Sequence, residues 1–500
     1  MDYDLIIRNA RIVDGTGNPW FPGDLAVDQG KIAAIGKLTN LTASVEIDAE
    51  GKILAPGFID IHTHADTDAC ELSLMENYLR QGVTTLMGGN CGGSEYPIAD
   101  HLAKMEQLPR TINYGLFVGH GTLRKEAMGM AMRPPTSAEL AEMKVLAARA
   151  MDEGAFGISV GLYYAPGSFA QLDEIVEVTR EIAQHGGLFT IHLRDESDYN
   201  IGLVESVKEA IAVAEQTGVS VQISHLKCLG KPVWGKAQEI LALIEQARER
   251  GLDVRFDQYP YLASGTAITG AIIPRWAQEG GDAALTARLQ DPATRAAVRV
   301  EMLANIERRG GPETLVVSRH KPDPSVEGKS LLQIGTERGM EPVDAAIELQ
   351  IAGGAGLVSF NMRDEDLETI MRHPLGMVVS DGSLVAFGRG VPHPRWYGTF
   401  PRVLARYVRE KKVISLEEAV RKMTSAPAHR VGLWDRGVIA SGMIADLVLL
   451  DPETISDGST FDHPHCYNQG VDLVMVAGEI ALKKGQLTEA RAGRLLRKNS

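Results

Sequence analysis

Six residues that can bind a metal stand where short apolar runs of the sequence end. His62 and His64 follow the apolar run at 58–61, and residues two apart in a strand point to the same side, so both imidazoles could face one ion. The other members of this set are Cys91, His192, His225 and Asp381. A lone residue of any of these types usually has a structural role. Six of them at the ends of five predicted strands indicate a single metal site.

Zinc is the metal that suits this set. It accepts histidine nitrogen and cysteine thiolate, and its catalytic sites leave one position for water. The cysteine argues against magnesium and calcium. The spacing leaves open whether one ion or two bind, because Cys91 could bridge two ions or complete a single site with His192 and His225. Asp381 could take a proton from water and return it to a leaving amine, or it could only orient a ligand.

The elements that must position these residues alternate between apolar runs and stretches with helical periodicity, for example 172–184. This alternation is typical of βα units with a parallel sheet. The eight predicted strands are Ile53–Ile61, Val83–Met87, Tyr114–Val118, Gly157–Val160, Leu188–Ile191, Ser220–Ser224, Asp253–Phe256 and Gly376–Val379. Eight units indicate an α/β fold of the (β/α)8 TIM-barrel type, in which the strand ends converge on one face.

Two further regions flank or interrupt this predicted barrel. Short β-rich runs near both chain ends predict a small β-sandwich domain made of residues 1–55 and 435–483, around a barrel at 56–434. The gap at about 262–372, before the last barrel strand, is longer than a βα unit needs. We interpret it as an insertion over the barrel mouth, and 484–500 as a C-terminal tail.

Composition excludes several classes of protein. The 500 residues include 65 acidic and 51 basic side chains, a net charge of −14, whereas a nucleic-acid-binding protein needs a basic face. Four irregularly spaced cysteines do not form a disulfide framework. The sequence shows neither a signal-peptide pattern nor an apolar run of about 20 residues that could span a membrane. We expect a cytoplasmic enzyme that acts on a small molecule. The sequence does not indicate its oligomeric state.

Longer motifs extend these observations. The opening segment at 4–17 and the segment at 55–64, which contains His62-Thr63-His64, resemble the amidohydrolase superfamily. More specific motifs are similar to the D-aminoacylase (N-acyl-D-amino-acid deacylase) family; they are Gly89-Asn90-Cys91-Gly92, His192-Leu193-Arg194-Asp195-Glu196, Ser224-His225-Leu226-Lys227, Asp257-Gln258-Tyr259-Pro260-Tyr261 and the segment 393–400. Cysteine is the most telling residue, because many superfamily members use a carbamylated lysine as the bridging ligand instead. The resemblance covers nearly the whole chain.

The resemblance implies two metal positions. One tightly bound Zn²⁺ would be held by Cys91, His192 and His225. A second, weaker position would be surrounded by His62, His64 and Asp381. Asp381 would be the catalytic acid and base.

The resemblance also implies a substrate site. Arg395, Lys227 and Tyr259 would hold the carboxylate of the substrate and the neighbouring carbonyl. The planar fork of arginine suits a free carboxylate well. The stretch 263–266 could add further substrate contacts. His120, which follows the third predicted strand, is interpreted as structural or as a support for the ligands.

The expected reaction is hydrolysis of an N-acyl-D-amino acid to a carboxylate and a free D-amino acid, with the insertion closing over the site to exclude water. Two alternatives remain at this point: a cyclic amidase or dipeptidase of the same superfamily, and a non-catalytic metal-binding scaffold. Selectivity for the D-enantiomer follows only from the resemblance. The preferred side chain of the substrate cannot be read from the sequence.

Overall fold

The computed structural model describes residues 2–498. Its strands in chain order are β1 (Asp2–Ile12), β2 (Phe21–Asp28), β3 (Lys31–Gly36), β4 (Thr42–Asp48), β5 (Ile53–Pro56), β6 (Phe58–Asp60), β7 (Val83–Gly88), β8 (Asn113–Leu116), β9 (Val118–Gly119), β10 (Gly157–Gly161), β11 (Leu188–His192), β12 (Val221–Ile223), β13 (Val254–Gln258), β14 (Ala263–Ala267), β15 (Leu315–Arg319), β16 (Gly356–Phe360), β17 (Gly376–Val378), β18 (Leu447–Leu450), β19 (Val471–Val476), β20 (Glu479–Lys483) and β21 (Gln486–Leu487).

The α-helices of the same residues are α1 (Glu76–Leu79), α2 (Ile98–Glu106), α3 (His120–Met128), α4 (Ser137–Asp152), α5 (Leu172–Gln184), α6 (Leu203–Thr217), α7 (Ala237–Glu249), α8 (Ile268–Ala271), α9 (Asp282–Gln290), α10 (Pro292–Arg308), α11 (Leu331–Arg338), α12 (Pro342–Ile351), α13 (Asp364–Arg372), α14 (Arg395–Arg402), α15 (Leu416–Met423) and α16 (Ser425–Val431). Short 3₁₀ turns span Ala65–Thr67, Gly167–Phe169, Lys231–Val233, Arg275–Gln278, Pro312–Thr314 and Pro324–Val326, and a π-helix, Val403–Glu410, continues α14.

Parallel strands form the centre of the fold. One sheet has the order β6-β7-β8, and the second has the order β9-β10-β11-β12-β13-β17. Only Phe117 separates β8 from β9, and at the opposite margin Thr63 forms a parallel bridge with Gly382. The parallel α/β fold predicted from the sequence is confirmed, whereas closure of the strands into one barrel stays a prediction.

One predicted strand was wrong: Ile53–Ile61 consists of two strands in different sheets. β5 pairs with β1 and β18, whereas β6 pairs with β7. The chain changes partner at Gly57, where a β-carbon would collide with the side chain of Thr84. A continuous apolar run could not reveal this, because both strands are buried. Predicted strand Tyr114–Val118 is likewise divided, at Phe117, into β8 and β9 of different sheets. The other six predicted strands are present, with ends that differ by at most two residues.

Helices cover the parallel strands. In α5, the buried residues Ile175, Val178 and Ile182 recur at helical spacing and form one apolar face. Successive helices from α4 to α7 contact one another, and α13 contacts both α7 and β17. The largest hydrophobic core lies between these helices and the strands. Since the strands are parallel, the residues that follow them are brought to one end of the sheets.

Strands from both chain ends form one nine-stranded sheet. Its path runs β21-β20-β19-β18-β5-β1-β2-β3, with β4 paired to β1. Leu5 and Ile12 from the first strand share a core with Leu447 and Leu473 from the last strands. The shared core joins the two chain ends in one sheet. The division into a separate β-sandwich domain, with its boundaries, stays a prediction. The described part of the tail lies extended beside β8, where the amide of Tyr114 donates to the carbonyl of Arg494.

Residues between β13 and α13 fold around a core of their own. They contain the antiparallel sheet β14-β16-β15 and helices α8 to α12. Arg309, which is almost completely buried, ties this insertion to the parallel strands. Its guanidinium donates to the hydroxyls of Tyr163 at 2.8 Å, Tyr199 at 2.7 Å and Ser359 at 3.0 Å.

Two further findings concern membrane-spanning helices and the cysteines. Within residues 2–498, no helix combines the length and the apolar character needed to cross a membrane. All four cysteines lie in the described chain, and none of them forms a disulfide there. The cytoplasmic location stays a prediction.

Candidate metal centre

The structure brings the six predicted metal-binding residues together at the ends of the parallel strands. Three imidazole nitrogens surround the Cys91 sulfur: Nε2 of His62 at 3.3 Å, Nδ1 of His192 at 3.5 Å and Nε2 of His225 at 3.4 Å. Three overlapping groups have potential ligand atoms within 4.8 Å of one another; they are His62/His64/Cys91, Cys91/His192/His225 and His62/His225/Asp381. These distances between ligand atoms suit one ion or two adjacent ions.

Tight turns aim several of these side chains. Cys91, His225 and Asp381 have φ angles of 53°, 35° and 49°, in the left-handed region that non-glycine residues rarely adopt. Such backbone strain is concentrated at functional sites, where the surrounding structure enforces it. Gly89 and Gly92 explain part of the motif around Cys91, since both have positive φ and a β-carbon on Gly92 would lie 2.7 Å from the backbone nitrogen of Gly161.

Hydrogen bonds lock the segment of His62 and His64 to its neighbours. The Asn90 side-chain amide donates to the carbonyl of Thr63 at 3.2 Å, which fixes the Cys91 turn against this segment. On the other side, the Asp381 amide donates to the His62 carbonyl at 3.0 Å and the His64 amide donates to the Gly382 carbonyl at 2.7 Å. The candidate ligands of three separate strands are therefore held in one rigid frame.

Asp381 lies between the histidines and a cation. Its Oδ1 is 3.2 Å from His64 Nε2 and 3.5 Å from His62 Nε2, and its Oδ2 is 2.9 Å from Arg395 Nη1. Burial alone would raise the pKa of Asp381, but the adjacent Arg395 guanidinium holds that pKa well below its ordinary value. The group is thus an ionised carboxylate that can accept a hydrogen bond from water.

The protonation of the other candidate ligands also follows from burial. Burial lowers the pKa of His62, His192 and His225 well below the ordinary range, so each is a neutral imidazole with a lone pair to offer. Burial raises the pKa of the Cys91 thiol, and a metal must displace its proton to bind the thiolate. A soft thiolate with neutral imidazoles and one carboxylate is the donor chemistry that zinc accepts. The residues therefore fit the metal predicted from the sequence.

Glu196 is a residue of the centre that sequence reasoning missed. Its Oε1 lies 3.1 Å from His225 Nδ1 and 2.5 Å from Lys227 Nζ, and its Oε2 lies 3.6 Å from His192 Nε2. In both histidines, the ring nitrogen near Glu196 is the one that faces away from the Cys91 sulfur. A carboxylate in this position can orient metal-binding histidines. Here Lys227 Nζ also lies 2.8 Å from His225 Nδ1, and His192 Nε2 has no hydrogen-bond partner among the described residues. The place of Glu196 four residues after His192 was a signal that could have identified it.

Asp257 and Asp60 are buried carboxyl groups that contact the backbone or side chains of the candidate ligands. Asp257 accepts a hydrogen bond from the His225 amide at 2.6 Å, and its Oδ1 lies 3.8 Å from His62 Nδ1. Asp60 accepts from the backbone amides of His62 and Ser380, each at 3.2 Å. Burial raises the pKa of each of the two carboxyl groups to about 7.

The predicted substrate-binding residues occupy different places. Arg395 Cζ lies 4.8 Å from the centroid of the Tyr259 ring, and both the Tyr259 hydroxyl and the Arg395 Nε are buried without a hydrogen-bond partner among the described residues. Lys227 instead lies behind His225, where its ammonium donates to Glu196 and to the His225 carbonyl. β12 ends at Ile223, so Lys227 lies in the segment that follows this strand.

Open space adjoins the cluster on two sides. A cavity of about 300 Å³ is lined by Cys91, Asn90, Tyr164, Thr266 and Asp381, among others. A larger cleft of about 720 Å³ shares Asp381 with it and extends between the parallel strands and the insertion. The stretch 263–266 contributes to both walls through Gly265 and Thr266.

His120 belongs to a separate buried cluster. Its Nε2 lies 3.1 Å from Glu174 Oε1, and the same oxygen accepts from Arg124 Nε at 3.0 Å. His120 is in none of the three candidate metal groups. Its contacts are those of a residue that joins α3 to α5.

Comparisons with known proteins agree with this geometry. Residues 45–482 match the Amidohydrolase family. D-aminoacylase of Alcaligenes xylosoxydans xylosoxydans is 35% identical over 517 residues, which cover 99% of this chain and 97% of that protein. Of solved structures, N-acyl-D-glutamate deacylase of Bordetella bronchiseptica, complexed with zinc and a phosphonate inhibitor that mimics the tetrahedral intermediate, has a TM-score of 0.87 and 34% identity, covering 99% of this chain and 100% of that one.

A solved structure of D-aminoacylase concerns the role of its binuclear metal centre in one-metal activation and second-metal attenuation. It has a TM-score of 0.84 and 33% identity, covering 99% of this chain and 100% of that one. Identity above 30% over nearly full length, together with the clustered histidines, cysteine and aspartate, makes this chain a member of the amidohydrolase family, in the group that contains D-aminoacylase and N-acyl-D-glutamate deacylase.

Proposed function

We propose that this chain hydrolyses the amide bond of N-acyl-D-amino acids with the help of zinc, releasing a carboxylate and a D-amino acid. The observation that carries this proposal is the position of Asp381, which contacts the candidate metal-binding histidines on one side and Arg395 on the other. A catalytic carboxylate is thus next to a group suited to hold a substrate carboxylate. The names of the relatives support the substrate class and the D-configuration.

Two sets of residues would hold the metal. The first ligand set is Cys91, His192 and His225, and we assign the tightly bound zinc to it. The second ligand set is His62, His64 and Asp381, and we assign the weaker position to it. Zinc, when bound, polarises an amide carbonyl and lowers the pKa of water. The relative with one activating and one attenuating metal supports this division.

The protein's own residues bind the substrate and move the proton. The Arg395 guanidinium and the Tyr259 hydroxyl hold the α-carboxylate and so place the scissile amide beside Asp381. As water adds to the carbonyl carbon, Asp381 accepts its proton at a carboxylate oxygen. When the C–N bond breaks, Asp381 gives this proton to the leaving nitrogen, and the carboxylate is restored for the next cycle.

The test is the zinc content of the purified protein together with amine release from N-acetyl-D- and N-acetyl-L-amino acids. We expect release from the D-enantiomers. Equal rates for both enantiomers would contradict the stereochemical assignment, and no release from either would contradict the substrate class.

A substitution at Arg395 separates deacylation from hydrolysis of a cyclic amide, whose substrate lacks a free α-carboxylate. Arg395→Lys should raise KM for N-acyl amino acids roughly 10–100-fold, the value of hydrogen bonds to a charged group. The result expected of a cyclic amidase is different: ring opening of a hydantoin at a rate above that of deacylation, with a KM that Arg395→Lys leaves unchanged.

A further inference from the structure

The two histidines of the first ligand set are oriented by different contacts. His225 Nδ1 lies 2.8 Å from Lys227 Nζ and 3.1 Å from Glu196 Oε1, so polar contacts hold the outer nitrogen of that ring. His192 Nε2 is buried without a hydrogen-bond partner among the described residues, and Glu196 Oε2 stays 3.6 Å away. Hydrogen bonding at the outer nitrogen therefore does not account for the orientation of the His192 ring.

Aromatic rings pack against His192 instead. The Tyr163 ring is stacked on the imidazole, with the ring centroids 5.2 Å apart and the planes at 29°. The Tyr164 ring meets the imidazole edge-on, with the centroids 4.8 Å apart. The backbone holds these segments side by side, because the Leu162 amide donates to the His192 carbonyl at 3.2 Å. Since packed aromatic rings prefer particular relative orientations, the Tyr163 ring limits rotation of the imidazole.

The insertion in turn holds the Tyr163 ring. Arg309 Nη2 donates to the Tyr163 hydroxyl at 2.8 Å, and Arg275 Cζ lies 4.2 Å from the centroid of the same ring, a cation–π contact. Arg309 Nε also donates to the Tyr199 hydroxyl at 2.7 Å. Tyr163 follows β10, and Tyr199 follows β11, the strand that ends in His192. One guanidinium of the insertion therefore joins the segments that follow both strands.

Arg309 is a costly group to bury at this position. Its residue is 1% exposed, and no acidic side chain of residues 2–498 lies within ion-pair distance of its guanidinium. Its acceptors are neutral: two tyrosine hydroxyls, the Ser359 hydroxyl and the Ala271 carbonyl. Burying a charge without a counter-charge costs free energy. The planar fork of arginine offers several donors in fixed directions, which suits it to hold the Tyr163 hydroxyl in one place.

We propose that Arg309 positions the zinc ligand His192 through Tyr163, so that the insertion takes part in retaining the metal as well as in lining the cleft. This inference rests on the proposed function, which assigns the tightly bound zinc to Cys91, His192 and His225. Arg309 and Tyr163 are positioning residues, since neither belongs to a candidate metal group. Residues that orient metal-binding histidines typically contribute about 10–100-fold to metal affinity.

The test measures zinc affinity by chelator competition in two variants of Tyr163. Tyr163→Leu removes the stacked ring, and the affinity should fall by about 10–100-fold. Tyr163→Phe keeps the ring but removes the hydroxyl that Arg309 holds, so the affinity should fall by about 10-fold, the lower end of that range. The absorption bands of the cobalt-substituted protein should shift in both variants, because the imidazole reorients.

Arg309→Met removes the same contact from the side of the insertion. It should weaken zinc binding about as much as Tyr163→Phe does. Because both changes break one contact, the double variant should lose little more affinity than either single variant, whereas independent effects would multiply. If Arg309→Met does not fold, the two variants of Tyr163 still decide the question.

Two controls separate positioning of the ligand from a general loss of stability. Tyr114→Phe removes a buried hydroxyl that lies 3.1 Å from His101 Nε2, and Arg299→Met removes an arginine of α10 that pairs with Asp344. Neither residue belongs to a candidate metal group, so both variants should keep the zinc affinity and the cobalt spectrum of the unmodified protein even where Tm falls. A merely structural role of the Tyr163 hydroxyl predicts the same behaviour for Tyr163→Phe.

Unchanged zinc affinity and an unchanged cobalt spectrum in both variants of Tyr163 would overturn this inference and leave the proposed function intact. Multiplied losses in the double variant would overturn the role of Arg309. Failure of the unmodified protein to bind zinc would contradict the proposed function, and this inference with it. Bound zinc without amine release would contradict only the proposed substrate class.

Discussion

The two ligand sets of the candidate metal centre differ in the residues that contact their ligands and in their exposure. In the first ligand set, Glu196 contacts the far nitrogens of both histidines, at 3.1 Å and 3.6 Å, and both imidazoles are buried. In the second ligand set, the His64 side chain is 36% exposed and Asp381 shares its carboxylate with Arg395. On the proposed assignment, the first set retains the ion, and the second set, of which His64 and Asp381 line the cleft, is open to substrate.

On the proposed assignment, the first ligand set holds the metal, and Asp381 of the second ligand set moves the proton. A ligand whose orientation is fixed by outer hydrogen bonds binds metal more tightly. A general base needs access to water and substrate and must not be fully used as a ligand. The four predictions that follow test this division, from the largest expected effect to the smallest.

The largest effect is expected from Asp381→Asn. The amide keeps the shape of the side chain but cannot accept the proton, so amine release should fall by about 10²–10⁴-fold, the usual contribution of general acid–base catalysis. Because the first ligand set is untouched, the variant should retain its zinc, as measured by elemental analysis after dialysis. Loss of the tightly bound zinc in this variant would contradict the division between the two sets.

Cys91→Ala should abolish tight zinc binding. The thiolate is common to two of the three candidate groups, and loss of a direct ligand should weaken affinity by more than the ~10–100-fold typical of a supporting residue. Competition with a chelator of known affinity measures this, and activity should disappear at chelator concentrations that the unmodified protein tolerates. Cys466→Ala is the control, because this cysteine is exposed and belongs to none of the candidate metal groups. Equal zinc affinity in both variants would rule out Cys91 as a ligand.

Glu196→Gln should weaken zinc binding by about 10–100-fold, because the neutral amide no longer orients the two histidines of the first ligand set. Chelator competition again gives the affinity, and the absorption spectrum of the cobalt-substituted protein should shift as the imidazoles reorient. Glu205→Gln is the control, since Glu205 pairs with Lys208 on the surface. A drop in activity with unchanged affinity and spectrum would show that Glu196 does not act through the ligands.

The metal centre also shows which features of this protein can be predicted from its sequence. The candidate ligands were recognisable because each is a chemically distinctive residue directly after a strand, and parallel strands bring such residues to one end. Glu196 was missed because an acidic residue in a loop is usually solvated, and only the fold places it against two histidines. The break at Gly57 was equally hidden, since it depends on which distant segments meet.

The smallest effect is expected from His64→Asn. His64 belongs to the more exposed second ligand set, and its contact with Asp381 is one of several that keep this carboxylate ionised, along with Arg395. Tight zinc content should therefore remain, and amine release should fall by at most about 10-fold, the lower end of the cost of a supporting residue. The measurement is kcat/KM over a range of added zinc. A loss as large as that of Cys91→Ala would place His64 in the tight position and would reverse the assignment of the two sets.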